Sequence, residues 1–382
     1  MFDEELLADG DLLTRRDEHR LLWHLATAGA QVRRAVETRA DFGVEALRDA
    51  EPRALLVATD APPSSAQRLI GRLSCDTVPT VSWHGVELPR WAGPADALLI
   101  GAVDGNHPRL AGLAEQAARR GMALAVAAPT NTPVASAAGR APLAELPGDL
   151  SPRASRWAVL TPLLQALDVM GVARIPADVL DQVAAALDGV AETCRPDGEL
   201  FTSPAKSLAV EFAESRPVIA GAGVLAGVAA RATADVLQTA AGVSAISVSL
   251  PDGTGRAGAL LRGPGTGAGD PDDFFRDRVD EAGPHRASLL VIGDDGDPAD
   301  PALGERSTAQ LQLDEVAARR AASALRSLAE GLGVRVHGVD VPDGPGLARF
   351  AAAAAFGDFT AAYLAFGLGL DPGAPRPAEL GH

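Results

Sequence analysis

Short apolar runs, each closed by a polar turn and followed by a helical stretch, constrain this chain's fold more than any other feature. "ALLVATD" (54–60) precedes the helical "SAQRLIGRL", and "VPTVSW" (78–83) lies near a bend. "DALLIGAV" (96–103) leads into a helix over Pro108–Arg120, and "MALAVAAP" (122–129) ends in "TNTPVAS". Runs that are apolar throughout, rather than alternating, belong to strands buried on both faces. That implies a parallel sheet with helices on either side. The pattern then restarts. "PVIAGAG" (217–223) runs into a helix over Val224–Thr239, followed by "VSAISVSL" (243–250), "ASLLVIGDD" (287–295) and "VRVHGVDV" (334–341). Strand starts in the two halves are offset by roughly 160 to 200 residues, and the offset grows because 251–275 is inserted or expanded. The expectation is an α/β protein of two similar tandem domains, each a mainly parallel sheet flanked by helices.

The boundaries follow from the same reading. Residues 1–150 hold an N-terminal helical stretch and the first α/β domain. Residues 151–204 form a helical connector ending in the polar linker "CRPDGELFTSP" (194–204), and 205–382 form the second domain. That domain closes on "RFAAAAAFGDFTAAYLAFGLGL", a helix too apolar to lie exposed, which must pack on the sheet or at a subunit interface.

Composition narrows the partners. With a net charge of −16, the chain is a poor match for nucleic acid or an anionic membrane, though a local pocket can still be positive. Its two cysteines, Cys75 and Cys194, are far apart, which fits a reducing cytoplasm. The acidic start "MFDEELLADGDLL" is not a signal peptide, and no apolar run reaches transmembrane length. Lys206 is the sole lysine, so any lysine chemistry has one candidate. The seven histidines are scattered, and "DDGDPAD" (294–300) lacks the closing Glu of a calcium loop, so no metal is expected. "GPGTGAGDPDD" (263–273) lacks the Gly-Lys-Ser/Thr of a nucleotide loop and reads as a mobile loop.

Ligands of open α/β sheets bind at the carboxyl ends of strands. Four such loops matter here: Thr59–Ser65, Val103–His107, Ala128–Thr132 and Gly221–Gly223. In the first, Ser64 and Ser65 are either phosphate ligands or a helix cap, and Pro62 and Pro63 remove two amide donors. In the second, Asp104, Gly105, Asn106 and His107 form a tight turn before a helix, an arrangement suited to an anion. Thr130 in the third loop either orients sugar oxygens or is a turn residue. Gly221 and Gly223 in the fourth either let a helix start close to its strand or let backbone amides meet a ligand. The acidic residue a dinucleotide site needs about twenty residues on is missing, which argues against a nicotinamide enzyme.

The order of these segments resembles the bifunctional phosphoglucose/phosphomannose isomerases, which have two tandem sugar isomerase (SIS) domains of flavodoxin-like fold. The resemblance runs from about Ala54 to Asp371 and is greatest to a divergent actinobacterial branch. It is carried by "TVPTVSWHGVELPRWAGPADALLIGAV", "LPGDLSPRASRWAVLTPLLQAL", "SPAKSLAVEFAESRPVIAGAG" and "FGDFTAAYLAFGLGLDP". It implies a homodimer without cofactor that binds a hexose 6-phosphate. The family interconverts glucose or mannose 6-phosphate with fructose 6-phosphate through an enediol, which needs a phosphate cradle and acid/base groups. It also implies that Arg153, in Ser151-Pro152-Arg153-Ala154, is a substrate-binding cation.

The departures are as informative. The family's glycine loop falls on Thr59–Ser65, without its glycines, and its Ser-Gly-Asn-Thr phosphate loop falls on Asp104-Gly105-Asn106-His107. An aspartate beside a phosphate at roughly 4 Å costs about 4 kcal/mol per charge pair at an effective dielectric near 20. The family's catalytic glutamate segment falls on Leu237-Gln238-Thr239-Ala240-Ala241, with no carboxylate. Its histidine has no counterpart near Pro251–Arg256, and its C-terminal lysine is absent. Two readings remain: an isomerase with rearranged chemistry, or a catalytically inactive SIS protein that binds a sugar phosphate as regulator or scaffold.

Overall fold

A computed structural model describes residues 2–60, 65–74, 78–263, 286–293 and 308–374. Ser64, Cys75, all but the first residue of the glycine-rich 263–273 and the acidic 294–300 lie outside the described residues.

The N-terminal helical stretch is broken into α1 (Glu4–Ala8), α2 (Gly10–Arg16), α3 (Leu21–Ala26), α4 (Ala28–Glu37) and α5 (Arg39–Phe42). Asp3 and Asp9 cap the first two through their side chains. Then come β1 (Leu55–Thr59), α6 (Ser65–Leu73), β2 (Thr80–Ser82), β3 (Ala97–Gly101), α7 (Pro108–Arg120), β4 (Ala123–Ala128), α8 (Pro133–Ala138) and β5 (Leu143–Glu145). The connector forms α9 (Arg156–Val169) and α10 (Ala177–Thr193). The second half contains α11 (Pro204–Ala213), β6 (Ser215–Ala222), α12 (Val224–Ala241), β7 (Ile246–Leu250), α13 (Thr254–Leu261), β8 (Arg286–Gly293), α14 (Thr308–Gly331), β9 (Arg335–Gly338) and α15 (Gly346–Gly367).

Among the described residues the first sheet runs β2-β1-β3-β4-β5 and the second β7-β6-β8-β9. Every pairing is parallel. The first-strand-inside order is that of flavodoxin-type sheets, so the expected fold class holds. Among the strands the sequence reading missed β5, whose three residues are too few to show a pattern, and it read no helix at α13 or α14.

The continuous apolar strands feed different cores with alternate residues. Leu55 and Val57 of β1 join a central core that also receives Ile219, Leu290, α9, α12 and α15. Leu56 and Ala58 face the other way, into a cluster under α7 and α8. Val218, Ala220, Leu289 and Val291 do the same against α13 and α14. The two sheets thus share one inner core.

Helix α15 corrects one expectation. It is long and apolar enough to cross a membrane by length and composition, yet 94% of that window is buried. It packs on α10, α11 and α12. The segment read as a linker is also fastened. The Lys206 ammonium, fully buried, donates to the carbonyls of Leu7 (2.7 Å), Pro196 (2.6 Å) and Gly198 (2.7 Å).

Candidate functional site

The carboxyl ends of β1 and β3 face the same loops the sequence singles out. Gly105 sits at φ +68 in the turn after β3, and a Cβ there would lie 2.6 Å from the Thr132 hydroxyl. Only glycine takes this conformation with so little room. The Asn106 amide donates to Asp104 Oδ1 at 3.0 Å, which holds the Asp104 carboxylate within its own turn.

The backbone amides of the turn are occupied by a residue the sequence reading passed over. Val103 N–H and Asp104 N–H donate to the two carboxylate oxygens of Asp60, at 2.9 and 3.2 Å. The Arg109 charge faces that carboxylate, and His107 lies close enough to lower its pKa. The Arg109 guanidinium is fixed by donating to the carbonyls of Thr59 (2.9 Å) and Trp83 (3.3 Å). Burial pushes the Asp60 carboxyl above its ordinary value, and the two amide hydrogen bonds and His107 work against that rise. Burial lowers the Arg109 guanidinium. The turn therefore has the parts of an anion site, and the anion is the chain's own.

Beside it lies a small cavity of about 50 Å3, bounded by the carboxyl end of β1, the start of α6, the start of α9, and the ends of α12 and α15. Thr59, Ser65, Arg153, Arg156, Thr239 and Asp358 supply its polar wall. Arg153 reaches the Thr239 carbonyl at 3.5 Å. Arg156 forks onto Asp358, with Nη1–Oδ2 2.5 Å and Nη2–Oδ1 3.0 Å. Burial raises the Asp358 carboxyl, and Arg156 pulls it back.

The structure thus gathers Ser65 and Arg153 at one pocket, with Thr239 and Ala240 from the segment where the family resemblance puts a glutamate. Asp104, Gly105, Asn106 and His107 form the adjoining turn. Thr130 donates to Glu145 at 3.2 Å, off the pocket wall. Gly221 and Gly223 lie at the junction of β6 and α12. A Cβ on Gly221 would meet the Ala226 carbonyl at 2.2 Å, and Gly223 starts α12 at φ +113. Gly221 thus permits close helix–strand packing. Among the described residues no group of His, Cys, Asp and Glu is placed to hold a metal.

The negative charge on the turn amides belongs to Asp60, whereas the sequence reading expected it from Asp104. Asp60 closes the apolar run "ALLVATD" and reads there as a strand residue. The apposition of β1 and β3, in register from Leu55↔Ala97 to Thr59↔Gly101, brings it to the turn.

Comparison with known proteins agrees with this architecture. Residues 201–377 match the bacterial phospho-glucose isomerase C-terminal SIS domain. No curated protein matches the sequence. Among solved structures, a hypothetical protein from Thermus thermophilus superposes with a TM-score of 0.62 at 16% identity, covering 99% of this chain and 93% of that one. Tagatose-6-phosphate ketose/aldose isomerase from Escherichia coli gives 0.58 at 14% identity, over 93% and 95% of the two chains. The C-terminal domain of glucosamine-fructose-6-phosphate aminotransferase from Francisella tularensis gives 0.56 at 9% identity, over 92% and 98%. The second half of the chain is thus similar to a SIS domain of bacterial phospho-glucose isomerase, and the chain as a whole shares the fold of these solved structures.

Proposed function

We propose that this chain binds a hexose 6-phosphate with its phosphate at the Arg153 pocket and its sugar outside that 50 Å3 cavity, and is not an efficient aldose–ketose isomerase. The observation that carries the reading is that the three carboxylates at this edge are engaged, Asp104 by the Asn106 amide and the other two through both oxygens. Asp60 holds the turn amides with its two oxygens, and Asp358 holds Arg156 with its two. Isomerisation moves a proton between two neighbouring carbons and needs a base within hydrogen-bond reach of it. Arg153 and the Ser65 and Thr59 hydroxyls line the wall that a phosphate would meet.

In this reading the protein is a sugar-phosphate-binding regulator or scaffold. It works as a cytoplasmic homodimer without cofactor, as the bifunctional phosphoglucose/phosphomannose isomerase resemblance implies. The domains divide at 150 and 204, and Gly221 serves packing. The competing reading is an isomerase using Asp358, favoured by its raised carboxyl. Its fork to Arg156 argues against a free proton shuttle.

Calorimetric titration with glucose 6-phosphate tests the binding half. Saturable binding that weakens about tenfold or more in Arg153→Ala, roughly the loss of one charge-assisted contact, is expected. Absence of binding, or binding indifferent to Arg153→Ala, contradicts it.

A further inference from the structure

A second cleft lies at the other end of the seam between α6 and α12. Ser65 and Ala66 of α6 and Val236 to Ala240 of α12 face the Arg153 pocket. Gly71 and Arg72 of α6 and Val224 to Arg231 of α12 face the second cleft. The two helices therefore run antiparallel along the seam, and the Arg68–Asp235 ion pair (3.1 Å) lies between the two sites. The edge strands of the two sheets, β2 and β7, form the walls of the second cleft. Its volume is about 510 Å3, within the range of small-molecule sites.

Its chemistry runs against that of the chain. In a protein of net charge −16, four arginines line this one cleft: Arg68 and Arg72 from one side, Arg231 and Arg256 from the other. Asp235 is held between Arg68 and Arg231, with Arg231 at 2.8 Å, and offsets one charge of the four. Among the described residues Arg72 and Arg256 have no acidic partner, and both are exposed. Hydroxyls of Ser82 on β2 and Ser249 on β7 complete the polar wall. Helices α12 and α13 both begin beside it, at Gly223 and Gly253, without a side-chain cap. Uncapped amides add to the positive potential there.

We propose that this interdomain cleft binds a small ligand carrying two phosphate-type groups, with Arg72 and Arg256 reaching it from opposite walls. The planar guanidinium fork suits phosphate oxygens. The opposed placement and the size of the cleft favour two anionic groups over one. The inference is independent of the ligand assigned to the Arg153 pocket.

The test is titration of the full chain with inorganic pyrophosphate and, separately, fructose 1,6-bisphosphate, at constant ionic strength, read by calorimetry and thermal shift. Saturable binding of at least one probe is expected. Arg72→Glu and Arg256→Glu should each weaken it about tenfold or more, while Arg153→Ala leaves it unchanged. Both reversed positions are exposed, and circular dichroism checks that each variant folds. Three results overturn the proposal: no saturable binding of either probe, binding that survives the double charge reversal, or binding lost with Arg153→Ala alone.

Discussion

Asp60 shows how a single side chain can change the meaning of a loop. Its carboxylate takes the two amides a bound anion would use, and burial holds its pKa above the ordinary 3.8. A raised carboxyl favours the fold most below 3.8, and that contribution declines as pH rises toward the folded value. Asp60→Ser removes the titrating group and frees the amides. Denaturant unfolding across mildly acid to neutral pH should therefore show the variant gaining stability relative to wild type as pH rises. Inorganic phosphate should bind the variant about tenfold more tightly or better, since a like charge is gone. An unchanged stability difference across that range, with unchanged phosphate affinity, would remove Asp60 from the account. Lys206 is the opposite case, since the sequence offered it as the one lysine for chemistry. Its ammonium is saturated by three carbonyls, and burial lowers its pKa. Lys206→Met leaves those carbonyls without their donor. A loss of about 3 kcal/mol or more in denaturant unfolding is expected, at roughly 1–3 kcal/mol per orphaned group. Arg153 was legible because a four-residue segment carries it. Asp60 was not, because its role depends on the register of β1 against β3, which no local pattern encodes.

At the scale of elements, the strands other than β5, and the helices that follow β1, β3 and β6, were readable from apolar continuity. Two inner faces sharing one core is the physical reason for that continuity, because alternate residues of β1 and β6 enter different clusters. What the pattern could not show was where long helices lie. Helix α15 is apolar around its whole circumference because it is enclosed by α10, α11, α12 and the N-terminal helices. Phe359, 1% exposed within it, joins the shared core. Phe359→Ala should cost about 3–5 kcal/mol and lower the melting temperature in a single cooperative step, followed by calorimetry. Two separate transitions in wild type would show instead that the sheets unfold independently. The arginine cleft was equally hidden in the sequence. Arg72 and Arg256 are far apart along the chain and meet only because α6 packs against α12.

At the scale of the whole molecule, the two sheets face each other across the α6–α12 seam, with one polar site at each end. In the proposed reading, the Arg153 end offers a phosphosugar a turn, a helix start and a positive side chain. The Asp60 and Asp358 carboxylates there are engaged by the turn amides and by Arg156. The most direct measurement is fructose 6-phosphate formation from glucose 6-phosphate by the full chain, in a coupled assay at a substrate concentration that calorimetry shows to be saturating. The expected result is occupancy of the Arg153 pocket with turnover slower than that of an efficient isomerase by about 10²–10⁴-fold or more, the contribution of a missing base. Turnover in the ordinary enzymatic range, roughly 1–10³ per second, and lost in Arg153→Ala, would contradict it.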